Sequence, residues 1–166
     1  MKHIKTWRKA AVLALGIAAL GTAYASAQSA DVVKAREDAM KSFGANNRAI
    51  AAYAGGTGDK TAASTAAQSI ADTATKLSAV TMWPKGTSST DMPGVSLAKA
   101  QVFADGPTFT GRFTVLASDA YKVVAAINTG TPDDVKAAQA AMGKNCGACH
   151  STYREPLPPP APKPAG

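Results

Sequence analysis

The chain has 166 residues, enough for one modest domain, and 46% of them are hydrophobic. Its 18 Lys and Arg against 11 Asp and Glu give a formal charge of +7, but Lys2, Lys5, Arg8 and Lys9 supply four of those cations at the N-terminus. The remainder carries 14 against 11, or +3, scattered along the chain, which excludes a nucleic-acid patch and supports only a weak preference for acidic partners.

The basic cluster is followed by an apolar run, residues 10–20, and by small residues ending in Ala25-Ser26-Ala27. This three-part pattern predicts a secretory signal peptide over residues 1–27, cleaved after Ala27 to leave Gln28 first. The run is well short of the ~20 residues a spanning helix needs. An uncleaved N-terminal anchor is the alternative. No other stretch could span a membrane, so no stable membrane insertion is expected once the leader is removed.

Four segments then show helical period. In the first, residues 30–53, Val33, Arg36, Met40, Phe43, Asn47 and Ile50 share a face, and the glycines from Gly55 to Gly58 end it. The second, residues 60–80, has Asp59 as N-cap and an inner face of Ala63, Ala66, Ile70, Leu77 and Val80. Its alanines allow close approach, while its Thr and Ser lower intrinsic propensity, so packing must hold it. A connection rich in Pro and Gly covers residues 81–107. The third segment, residues 108–128, aligns Phe109, Phe113, Leu116, Ala120, Val123 and Ile127. The fourth opens on Thr131 as N-cap, Pro132 at N1 and Asp134 at N3, a capping box. Val135, Ala138, Met142, Cys146, Cys149 and Tyr153 mark its face.

Short links make antiparallel neighbours, so an all-α, up-down-up-down four-helix bundle with one long crossover is expected over residues 28–155. Residues 156–166 read as a Pro-rich disordered tail, extended and polyproline-like.

The chemistry lies in Cys146-Gly147-Ala148-Cys149-His150, the C-x-x-C-H pattern of covalent haem attachment. Two thiols three residues apart share one face of a helical turn and can add to the two vinyl groups on one porphyrin edge. The next residue, His150, then aims its imidazole at the iron. His3 lies in the leader, so His150 is the only imidazole of the mature domain. Three rival readings are weaker. A disulfide here would close a tiny loop and stabilise little. A thioredoxin-like pair expects a βαβ context. A closed zinc site wants four ligands, and only three donors are present.

The residues around this motif extend the pattern. Gly143-Lys144 precedes it and Tyr153-Arg154 follows it. The first segment carries Arg36-x-x-x-Met40-Lys41-x-x-Gly44-x-Asn46, and Trp83-Pro84-Lys85-Gly86-Thr87 opens the crossover. Together they resemble the class II c-type cytochromes, the group of cytochrome c prime and its low-spin relatives. The resemblance covers most of the mature chain. It departs before the third helix, where many relatives carry a tryptophan and this chain reads Gln101-Val102-Phe103.

The resemblance implies one covalent haem c on the C-terminal helix, with His150 as axial ligand. It also bears on the opposite axial position, where Met40 is the candidate. In low-spin members a methionine at this place binds iron; in cytochrome c prime the matching residue is an apolar plug and the iron stays five-coordinate. The first-segment run looks more like the low-spin members. Arg36 matches an arginine near a haem propionate, with a solvated surface cation as the alternative. Arg154 matches the basic residue beside the proximal histidine, and Tyr153 the aromatic packed nearby. Phe43 is expected on the distal side, and Trp83 reads as a loop anchor.

The expected function is electron transfer in the periplasm, with redox proteins as partners. The runner-up is a high-spin haem binding nitric oxide or carbon monoxide, and a helical module with a plain cysteine pair is a third reading. No nucleophile, general base or second metal site suggests turnover of an organic substrate. A homodimer through the first two helices is left open.

Overall fold

The computed structural model describes residues 4–157, with side chains described from residue 28 onward. The side chains of the expected leader (1–27) and the expected tail from residue 158 lie outside the described residues. The helices are α1 (Ile4–Ala54), α2 (Lys60–Leu77), the short α3 (Gln101–Ala104), α4 (Gly106–Thr129) and α5 (Pro132–Tyr153). Each long helix packs on the next, and α5 closes the ring on α1, which makes an antiparallel four-helix bundle. Among the described residues no strand forms, and none of the helices is long and apolar enough to cross a membrane.

Local chemistry sets the helix ends. Beyond α1 the chain doubles back so tightly that a Cβ on Gly58 would lie 2.5 Å from the Tyr53 nitrogen. Asp59 then starts α2 by accepting the Ala62 N–H at 2.8 Å. At α5 the Thr131 hydroxyl accepts the Asp134 N–H at 3.3 Å, and the Asp134 carboxylate accepts the Thr131 N–H at 2.8 Å.

The tightest packing is between α2 and α4. Ala63, Ala66, Ala67, Ala71 and Ala74 are all buried on α2, and the lack of bulk draws α4 close. From α4, Phe109, Phe113, Leu116, Ala120, Val123 and Ile127 are buried, as their spacing predicts. Two expected inner positions are not inside. Val80 is 76% exposed because α2 ends at Leu77 and the chain leaves through a 3-10 turn, Val80–Met82. The indole Nε1 of Trp83 donates to the Leu77 carbonyl at 2.7 Å, satisfying an oxygen the helix end would otherwise orphan. Asn47 is exposed and instead ties α1 to α5, accepting from the Gln139 amide at 2.9 Å.

The crossover is not a free loop. It lies against the end of α5, where the Lys99 N–H donates to the Tyr153 carbonyl at 3.0 Å and the Glu155 N–H to the Leu97 carbonyl at 2.8 Å. Ala98 and Arg154 form an isolated antiparallel bridge between them. This clasp makes the crossover a wall of the space that α1 and α5 leave between them.

Candidate functional site: an apolar cavity lined by two cysteines and a histidine

Between α1, α4, α5 and the crossover lies a cavity of about 580 Å³. From α5, Cys146, Cys149, His150 and Tyr153 line it, with Arg154 just past the helix end. From α1 come Val33, Arg36, Met40 and Phe43, and α4 adds Phe109, Arg112, Phe113 and Leu116. All six residues singled out in the sequence as cofactor contacts therefore border one space. Of the four methionines in the described residues, only Met40 borders it; Met142 is buried in the core. Phe43 lines the cavity as expected. Trp83 does more than anchor a loop, because it also faces this space.

The periodicity of α5 explains the placement. Cys146, Cys149, His150 and Tyr153 fall at steps of three, one and three, which keeps them on one side of the helix. Both cysteines are half-buried free thiols. Burial pushes each thiol up, and the nearby Asp119 carboxylate raises Cys146 further. Burial pushes the His150 imidazole down, and the Arg154 charge adds to the effect. A neutral imidazole is the form that can ligate a metal.

Two buried side-chain atoms among the described residues have no hydrogen-bond partner, Arg36 Nη1 and Arg154 Nε. Both belong to guanidinium groups at this cavity. Arg36 is only 5% exposed, and burial lowers its pKa to about 10. Its other amino group donates to the Thr87 carbonyl at 3.2 Å, and its guanidinium carbon lies 4.7 Å over the Trp83 ring. Trp83 in turn packs edge-on to Phe109 at 4.5 Å, and Phe109 meets Tyr153 at 4.9 Å. An orphaned buried donor costs about 1–3 kcal/mol and more when charged. Two of them at one apolar cavity call for anionic partners.

That donor set fits a haem. The group has two vinyl carbons for thiols, an iron for imidazole, an apolar macrocycle for the aromatic walls, and two carboxylates for the guanidinium groups. Cys146 and Cys149 could hold its edge, His150 its iron, and Arg36 and Arg154 its propionates.

Some lining residues escaped sequence reasoning. Gly94 to Ala98 line the cavity from the crossover, where no periodicity marks an inner side. Arg112 and Asn145 also line it. Arg112 sits directly before Phe113 in the inner stripe of α4, and Asn145 directly before Cys146, so their neighbours were the available signals.

Comparison with known proteins agrees. The family model for Cytochrome C' matches residues 31–154. Cytochrome c' from Thermochromatium tepidum superposes with a TM-score of 0.68 at 25% identity, covering 77% of this chain and 97% of that one. Oxidised R. palustris cytochrome c556 gives 0.65 at 23% identity, covering 77% and 98%. A cytochrome c' with ligand-controlled dimer dissociation gives 0.68 at 22%, covering 77% and 97%. Such bundles are themselves examples of the up-and-down architecture. With the family model spanning most of its length and the thiols, imidazole and guanidinium groups gathered at one cavity, the chain belongs to the cytochrome c' family and is a haem protein with one covalent haem c.

Proposed function

We propose that this protein is an electron carrier whose haem is bonded to Cys146 and Cys149 and held axially by His150 and Met40. The observation that carries the reading is that Met40 borders the cavity from α1 while the thiols and imidazole border it from α5. When bound, the haem supplies a one-electron couple at its iron. The chain supplies the rest. The cysteines fix the ring, the neutral imidazole gives one axial bond, and the Met40 thioether gives the other. Met/His ligation raises the reduction potential and keeps the site geometry alike in both oxidation states. Arg36 and Arg154 neutralise the propionates, and the aromatic wall of Trp83, Phe109 and Phe113 excludes water.

The protein works in the periplasm after loss of the leader, and N-terminal sequencing should find Gln28 first. Its partners are redox proteins, for which its mildly basic mature domain gives a preference toward acidic faces. A relative with ligand-controlled dimer dissociation supports a homodimer, which sedimentation would detect.

A second reading has its own support. Val33, Phe43 and Leu116 line the same cavity as Met40 and make its wall apolar, which suits an uncharged gas if the thioether stays off the iron. Nitric oxide or carbon monoxide would then bind. Met40→Ala separates the two: a low-spin spectrum that turns high-spin supports ligation, and an unchanged spin state rejects it.

A further inference from the structure

A buried carboxylate lies behind the cysteine edge of the cavity, on a helix that carries none of the proposed ligands. Asp119, on α4, is 8% exposed. One of its oxygens accepts the Asn145 amide at 2.5 Å, and the other accepts Lys122 Nζ at 2.7 Å. Asn145 lines the cavity and immediately precedes Cys146. Asp119 is also close enough for its charge to act on the Cys146 thiol.

Folding alone gives little reason for an acid here. Aspartate is a poor helix former, and Asp119 sits in the middle of α4. Its neighbours on the inner stripe are Leu116, Ala120 and Val123, all buried. A carboxylate taken out of water costs several kcal/mol before its partners repay it. Lys122 is an incomplete partner, since its side chain is 69% exposed and water screens it. A net negative charge is thus left facing α5 at the haem-attachment turn. The Asn145 bond also fixes that turn against α4, so the position of the cysteine edge depends on it.

We propose that Asp119 is a positioning and tuning residue for the haem: through Asn145 it holds the attachment turn, and its charge favours the oxidised iron and lowers the reduction potential. This rests on the reading that Cys146 carries the haem. The effect on the couple follows from Coulomb's law, because oxidised haem carries one more positive charge than reduced haem. At an effective dielectric near 20, a unit charge roughly 10 Å away changes the reduced-to-oxidised ratio about tenfold, and partial neutralisation by Lys122 brings this to a few-fold.

The test uses intact holoprotein as wild type, Asp119→Asn and Lys122→Ala. Spectroelectrochemical titration gives the midpoint potentials, and the pyridine haemochrome spectrum reports thioether attachment. Asp119→Asn should raise the potential, with the reduced-to-oxidised ratio at fixed ambient potential up roughly threefold to tenfold. Lys122→Ala should lower it, because it strips the acid of its counter-charge. Opposite signs are the signature that a purely structural role would not produce. A potential unchanged in Asp119→Asn, or shifts of the same sign in both variants, would overturn the proposal. If Asp119→Asn fails to mature, the exposed Lys122→Ala still decides: a drop supports the proposal, and no drop rejects it. A wild type without thioether-bound haem would instead sink the reading of Cys146.

Discussion

The two halves of the bundle are built differently. Between α2 and α4 the helices pack closely through buried alanines on α2 and Ala120, Val123 and Ile127 on α4. Between α1 and α5 the helices stand further apart around a cavity, and the inner side chains include two thiols, an imidazole, a thioether and two guanidinium groups. One half holds the helices together by excluding water. The other holds two buried guanidinium nitrogens, Arg36 Nη1 and Arg154 Nε, without a hydrogen-bond partner. The difference shows that a small bundle can place its stability in one seam and leave the opposite seam shaped for a cofactor.

The largest effects are expected at the cavity. Replacing both Cys146 and Cys149 by alanine should abolish covalent haem completely, with no haem stain after denaturing electrophoresis. Retention of stain would mean that attachment lies elsewhere. In the closed seam, Ile70→Ala should cost about 2–5 kcal/mol in a denaturant melt while leaving the absorption spectrum unchanged. A spectral change would show that the two halves are not independent.

A smaller effect is expected at Arg36. In the holoprotein, Arg36→Met should lower stability by about 1–3 kcal/mol, because a buried propionate loses its partner. An unpaired arginine in the same place would give the opposite sign, since removing it relieves a buried charge. The smallest effect is at the α5 cap. The Thr131 N–H and then its hydroxyl hold the Asp134 carboxyl below the usual carboxylate range. Its contribution is therefore present above the unfolded value near 4 and lost as pH falls through the lower folded value. Asp134→Asn should flatten that part of a plot of Tm against pH, and an unaltered slope would assign the acid transition to other groups.

The closed half is also the half that periodicity reveals. The α4 stripe from Phe109 to Ile127 and the α2 alanines follow from spacing alone, and Thr131, Pro132 and Asp134 mark the start of α5 without any tertiary information. Val80 shows where this stops. It keeps the helical phase of α2, yet the chain has already turned, because Trp83 caps the Leu77 carbonyl and the following Pro84 disfavours helix at Trp83. In the open half, chemistry rather than period identifies residues. Cys146, Cys149 and His150 declare themselves by spacing, and Met40 by its place on the inner face of the first helix, while Arg36 and Arg154 needed the family resemblance. The crossover wall from Gly94 to Ala98 was invisible, since its position depends on bonds to Tyr153 and Glu155 that no local pattern encodes. Asp119 could have been noticed, because it stands three residues after Leu116 and four before Val123, inside an otherwise apolar stripe.

The proposed electron carrier depends on Met40 binding the haem iron together with His150. The absorption spectrum of the purified holoprotein, oxidised and reduced, with and without carbon monoxide, tests it most directly. Methionine ligation predicts a low-spin spectrum in both states that carbon monoxide leaves unchanged. A high-spin spectrum that shifts when the gas is added would contradict it and make this protein a gas-binding member of its family.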